Sequence, residues 1–223
     1  MKKIFTLIAA VAFVATASAQ VISFDTKYDK GSIPGSFTNG DLVLTVTDTD
    51  GKLAVDANTA YFGTPESYVS FDYRLKTGGK SSSKNNLTLT LPTDGTLKVY
   101  ARTGSNGATD RNIVLTQNET ELVNKILLES EATTITIEDA TSPTGKVEKN
   151  VYPVITVEAK KGDVSITYPV GSINFYAFEL VNAAGVSTIL TPKADGKTFN
   201  LAGVQVSENA KGLKIKNGKK FVK

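Results

Sequence analysis

Nine short segments alternate apolar with polar residues, or run apolar for five to nine positions, and no segment of convincing length carries a helical period. They are LVLTVT (42–47), YVSFDYRL (68–75), NLTLTLP (86–92), TLKVYAR (96–102), NIVLT (112–116), TTITIED (133–139), VYPVITVEA (151–159), DVSITYP (163–169) and INFYAFELV (173–181). Val, Ile, Thr, Tyr and Phe fill them, while Gly, Asn, Asp and Pro separate them, as expected of strands joined by turns. One stretch, ETELVNKILLESEA (119–132), mixes both signals and fits a short helix or a strand. Many short strands without an internal repeat predict an all-β chain folded as an antiparallel β-sandwich or jelly roll.

Period two also sorts the faces. In 96–102, Leu97, Val99 and Ala101 share one side and Lys98, Tyr100 and Arg102 the other. In 68–76, Val69, Phe71, Tyr73 and Leu75 form the apolar side. In 173–181, Phe175 and Glu179 are expected to oppose Tyr176, Phe178 and Leu180. Most of these aromatic residues belong in a core. Tyr100 is the exception, since its strand sets it beside Arg102 on a polar face. Two polar Gly/Ser-rich loops, 76–86 and 102–112, are either binding loops or solvated connectors.

Composition narrows the chemistry. The chain has no His and no Cys. Nucleophilic sites that use imidazole as base are therefore excluded, as are typical zinc sites and disulfides. Carboxylate or lysine chemistry and a hard cation held by oxygen remain open. The formal charge is +3, from 25 basic and 22 acidic side chains, with no concentrated basic patch to imply nucleic acid.

The N-terminus, MKKIFTLIAAVAFVATASAQ, has two lysines, an apolar stretch from Ile4 to Val14 and the small residues Ala17-Ser18-Ala19. This is the pattern of a cleaved signal peptide over 1–19, too short to span a bilayer, with Gln20 opening the mature chain. No Cys follows it, so lipid anchoring is not expected. The 204 remaining residues carry 23 basic and 22 acidic side chains, a net charge of +1. A β-sandwich is expected over 20–182 and a linker over 183–197, within the stretch NAAGVSTILTPKADGK (182–197) that loses all period. The mature chain holds no transmembrane segment by this pattern. Export places the protein outside the cell, on its surface or in the periplasm.

The last residues, 198–223, carry TFNLAGVQV and GLKIKNGKKFVK. Asn217-Gly218 between alternating residues predicts a two-residue hairpin, paired with the strand around Gly203 to Val206. Asn200, Leu201, Gly203, Val206, Gly212, Asn217, Gly218 and Lys219 follow in an order that resembles the C-terminal sorting signals of secreted Bacteroidetes proteins. Val204 and Lys214 depart from that pattern. The resemblance implies recognition by outer-membrane secretion machinery of the type IX route. The alternative is a hairpin that simply completes the fold.

The middle, about 21–182, resembles the non-catalytic β-sandwich modules of Bacteroidetes polysaccharide-degrading proteins. The similarity lies in Tyr73 to Gly79, Leu91 to Arg102 and Ile173 to Leu180. It implies a jelly roll and a polysaccharide or surface-glycan partner. There is no Trp, so Tyr must serve as the stacking ring. Tyr100, Arg102, Arg74 and Lys76 are the candidate ligand-binding residues, and guanidinium groups would suit an acidic polysaccharide. Two other classes stay open: a structural or adhesive surface protein without a small ligand, and a lyase or hydrolase. No acidic pair has the spacing of an active site, so no catalytic residue is assigned.

A structural calcium ion is the one cofactor considered, with Asp25 and Asp29 as ligand candidates. Asp48-Thr49-Asp50-Gly51 is similar to the start of a calcium loop, but Thr59 stands at the twelfth position where a bidentate Glu is needed. It is expected to be an Asp-Gly turn.

Overall fold

Pairing of the alternating segments yields fourteen strands ahead of the tail in a computed structural model. The structure describes residues 19–138, 142–182, 198–200, 205–207, 213–216 and 219–222. In chain order the strands are β1 (Gln20–Ser23), β2 (Ser36–Asn39), β3 (Leu42–Asp48), β4 (Ala54–Thr64), β5 (Ser67–Lys76), β6 (Asn85–Leu91) and β7 (Gly95–Thr103). They continue as β8 (Asn112–Gln117), β9 (Thr120–Ile126), β10 (Thr133–Glu138), β11 (Lys146–Tyr152), β12 (Ile155–Ala159), β13 (Gly162–Thr167) and β14 (Ile173–Asn182).

Two sheets result. One runs β10-β11-β4-β5-β14-β7-β12 with β1 also on β14, and the other runs β2-β3-β6-β13-β8-β9. Among the described pairings only β11 on β4 is parallel. Taken as eight successive strands, β5 to β9 and β12 to β14 stand first-eighth-third-sixth in one sheet and second-seventh-fourth-fifth in the other. That winding is a jelly roll. Strands β1 to β4 extend both sheets, and the β10–β11 hairpin is inserted between the fifth and sixth strands.

The main core lies between the sheets. Leu44, Leu87, Leu89, Leu115 and Ile166 meet Leu97, Val99, Phe175, Phe178 and Leu180, all fully enclosed. Burying each such side chain contributes roughly 1.5–3 kcal/mol, which offsets the absence of disulfides. The expected face of β7 is seen, with Leu97, Val99 and Ala101 in this core.

Strand β14 corrects the expected phase. Its register on β7 shifts between Phe175 and Ala177. The shift sends Phe175, Phe178 and Leu180 to the same core, and leaves Tyr176 and Ala177 in a second cluster. Simple alternation fails because the bulge inserts an extra residue.

That second cluster covers the sheet's outer face. Strand β5 pairs with β14 only at Lys76 and Leu75, and β1 takes the adjacent place from Ala177 to Leu180. Leu75 enters the main core, whereas Phe71, on the same face of β5, packs with the second cluster. The free half of the β4–β5 hairpin therefore lies over β7 and β14. Phe62 sits 5.8 Å from Tyr100 and 5.1 Å from Tyr176, centroid to centroid, and Phe71 5.0 Å from Tyr100. Covered on both sides, β14 is buried along nearly its whole length.

The ambiguous stretch 119–132 becomes β9 followed by one 3₁₀ turn at Glu129–Glu131. Asn118 and Glu119 both take positive φ, 49° and 64°, which closes the β8–β9 hairpin in a two-residue turn. The expected strand 151–159 divides around Pro153.

In the tail, β15 (Thr198–Asn200), β16 (Gln205–Val206), β17 (Leu213–Lys216) and β18 (Lys219–Val222) form a separate sheet in the order β16-β15-β17-β18. Lys216 pairs with Lys219 across the expected two-residue link. Strand β17 pairs with β15, while 205–206 supplies the other edge of β15, so the hairpin's expected partner is replaced. Asn200, Val206 and Lys219 lie in these strands. Leu201, Gly203, Gly212, Asn217, Gly218, residues 1–18 of the signal peptide and the linker lie outside the described residues. No helix among the described residues is long and apolar enough to cross a membrane.

Candidate functional site

The four candidate ligand-binding side chains are all engaged by the protein itself. Tyr100 does point away from Leu97 and Val99, as its strand requires, but it is only 4% exposed beneath Phe62 and Phe71. Its hydroxyl donates to Glu179 Oε2 on β14. Burial, and then the Glu179 carboxylate, push the phenol well above its usual range. This enclosed ring offers no face to a sugar, which corrects the expectation of an exposed platform.

Arg74, Lys76 and Arg102 are brought to one region. Asn174 of β14 stands in register with Lys76 on one side and Arg102 on the other. Arg74 Nε donates to Asp56 Oδ1 at 2.8 Å, and Lys76 Nζ lies 3.1 Å from Asp56 Oδ2. Burial alone would raise the Asp56 carboxyl, but the hydrogen bonds from Arg74 and Lys76 outweigh it and hold it below the usual carboxylate range. Tyr176 donates to Asn58 Oδ1 at 2.6 Å. Burial raises its phenol against the pull of both Arg102 and Arg74.

Beside these residues a cleft opens for a topological reason. Strand β11 pairs with β4 only at Val151 and Tyr152, opposite Tyr61 and Phe62. Before those residues, β11 turns to β10 and β4 to β5, and β4 carries an irregularity between Ala57 and Ala60. The diverging strands leave an open, polar-lined depression of about 480 Å³. Thr59 and Tyr61 line one wall, Glu148, Lys149 and Asn150 the other, and Arg102, Glu129 and Tyr152 also border it.

The Arg102 guanidinium is fixed there. Its Nη2 donates to Glu129 Oε1 and Oε2, each at 3.1 Å, and its carbon lies 4.6 Å from the Tyr152 ring centroid. Tyr152 donates its hydroxyl to Glu129 Oε2 at 2.7 Å. Burial, followed by that bond, pushes the Tyr152 phenol up to about 12. Arg102 Nη2 also lies 3.4 Å from Asn106 Oδ1, bringing one polar loop to the rim. Tyr61 is half-buried and makes an edge contact with Tyr68 at 5.8 Å.

Tyr61, Glu129, Glu148 and Asn150 were not among the residues expected from the sequence. Glu129 came from the stretch of mixed period, and β4 and the first half of β11 were not expected as strands. Nothing local signalled the cleft, because it exists only where two strands distant in sequence part.

The cation candidates are placed apart from any acidic cluster. Asp29 is exposed and pairs with Lys27 at 2.9 Å, and Asp25 accepts a bond from Thr26 at 2.9 Å. Among the described residues no three acidic side chains are grouped to hold a metal ion. Asp48 caps its turn, with Oδ1 accepting from the backbone of Lys52 at 2.7 Å and Leu53 at 3.2 Å. Gly51 takes φ +63°, so the Asp-Gly segment is a turn. Asp48 Oδ2 and Asp50 Oδ1 are enclosed without a hydrogen-bond partner.

No protein-family model matches the chain, and no curated protein sequence matches it. Among solved structures it is similar to a chain from a study of glycan recognition in the Ruminococcus flavefaciens cellulosome, at 12% identity and a TM-score of 0.35. That match covers 75% of this chain and 96% of the other. It is also similar to the catalytic unit of a thermostable GH87 α-1,3-glucanase from Streptomyces thermodiastaticus, at 13% identity and a TM-score of 0.34. There the match covers 70% of this chain and 28% of the glucanase unit.

Proposed function

We propose that the protein is an exported, non-catalytic glycan-binding module whose site is the cleft between β4 and β11. The cleft is the observation that carries this. It is concave and bordered by amide, hydroxyl, carboxylate and guanidinium groups, with tyrosine rings among them. Such a mixture suits a sugar, whose hydroxyls need donors and acceptors while its ring faces pack on aromatic carbon.

No reaction is assigned to the cleft. Glycoside hydrolysis needs two carboxyl groups poised on opposite sides of a bond. Glu129 Oε1 and Oε2 are both engaged, by Arg102 and Tyr152, and Glu148 is exposed. An array of plant and host polysaccharides, probed with residues 20–223, tests the proposal. Reproducible binding supports it, and silence across the panel favours a structural or adhesive surface protein.

The tail is proposed as the export address. Strands β15 to β18 pair with one another in a sheet of their own, which suits a separately recognised element. Truncation before Phe199 is then expected to hold the protein in the periplasm, and unimpaired export of the truncated chain counts against it.

A further inference from the structure

We infer that the cleft selects an uncharged glycan, with Tyr61 as its stacking ring and Asn150 as a reader of sugar hydroxyls. This rests on the glycan-binding function proposed above and names the class of sugar. Arg102 and Lys149 line the cleft, and so do Glu129 and Glu148, so its ionised groups balance. The best-placed cation is already matched: both carboxylate oxygens of Glu129 accept from Arg102. A uronate entering the cleft would compete with Glu129 for that guanidinium while facing the Glu129 and Glu148 charges. Desolvating a second carboxylate beside an existing one is costly.

Nearby, Arg74 and Lys76 are both matched by Asp56, and Lys149 is offset in the cleft by the exposed Glu148. Polar groups without formal charge dominate what is left at the surface of the cleft. Asn150 and Thr134 are exposed and bonded to each other, Thr134 Oγ1 to Asn150 Oδ1 at 3.2 Å. The Asn150 side chain also bonds the Tyr152 hydroxyl, and the second N–H of its amide remains to donate to a sugar oxygen. Tyr61 is the half-buried ring in the cleft, held at its edge by Tyr68, whereas Tyr152 is buried under Arg102. A ring held in place by its neighbours and open in part to solvent is suited to packing on the apolar face of a sugar.

The test is affinity electrophoresis of residues 20–223 through gels carrying mixed-linkage β-glucan, xylan, galactomannan or polygalacturonate. At least one neutral polysaccharide is expected to retard the protein, and polygalacturonate is not. Tyr61→Ala is expected to weaken that binding tenfold or more, and Asn150→Ala, at an exposed position, at least threefold without lowering the melting temperature. Glu129→Gln removes the partner charge of Arg102 and is expected to create retention by polygalacturonate. Binding to polygalacturonate alone overturns the neutral-glycan assignment and leaves the glycan-binding module standing. Neutral binding that survives both Tyr61→Ala and Asn150→Ala overturns the assigned residues. Retention by none of the polysaccharides overturns this inference together with the function beneath it.

Discussion

The Tyr100 hydroxyl donates to the carboxylate of Glu179 in the space between the outer sheet face and the β4–β5 hairpin, where Glu179 is 1% exposed. Lys98 Nζ approaches the other oxygen at 3.5 Å. A buried carboxylate is costly unless it is hydrogen-bonded and paired, so the pair is a structural element of the second core. Tyr100→Phe is expected to cost about 1–3 kcal/mol, the usual penalty for stranding a buried polar group. Urea unfolding measures it. A variant as stable as the parent that has lost glycan affinity would return Tyr100 to the role of a ligand-binding residue.

The Arg102–Glu129 pair predicts coupling. Both side chains are partly exposed, which screens their charges, and the bidentate geometry restores some of the loss. A double-mutant cycle with Arg102→Met and Glu129→Gln is expected to give an interaction energy of about 1 kcal/mol. Additive effects of the two substitutions contradict the pairing.

Alkaline stability follows from the tyrosines. Burial and Glu129 hold the Tyr152 phenol at about 12 in the folded protein, above the unfolded value near 10. Its contribution is therefore complete below about pH 10 and is lost as pH rises towards 12. Tyr100 and Tyr168 are raised as well, chiefly by burial. Tyrosinate absorbance near 295 nm is expected to rise together with loss of near-ultraviolet circular dichroism. Ionisation of these rings in a chain that remains folded contradicts their burial.

Asp56 sets an opposite dependence in acid. Its carboxyl is held below the usual range despite burial, because Arg74 and Lys76 bind the ionised form. The stability it supplies is present above the ordinary aspartate pKa and fades as pH falls through the lower, folded value. Asp56→Asn is expected to lower stability at pH 7 and to flatten its decline below pH 4. Parallel denaturation midpoints for parent and variant from pH 7 to pH 2 are the contrary result.

Much of the jelly roll was legible because its central strands alternate cleanly. LTLTL in β6 and TLKVYAR in β7 each present apolar residues to one side and polar residues to the other. Strand β4 was not legible. AVDANTAYFGT contains Asp, Asn, Gly and three alanines, poor strand formers, and it becomes a strand through its long antiparallel pairing with β5. The same non-local cause decided the candidate residues. Alternation placed Tyr100 on the correct side of β7, but nothing in that segment reveals that Phe62 and Phe71 lie over it. Lys76 and Arg102 do flank Asn174, and Arg74 joins Lys76 on Asp56. Their partners Asp56 and Glu129 come from segments whose strands or turns local period did not mark.

The most direct measurement is chemical-shift mapping. Backbone amides of residues 20–223 would be followed during titration with a mixture of neutral gluco-, xylo- and manno-oligosaccharides. The predicted result is saturable change confined to 59–61, 148–152, Arg102 and Glu129, the residues that border the cleft between β4 and β11. Changes centred instead on the polar loop 76–86, or no change at any saccharide concentration, would contradict a glycan site in that cleft.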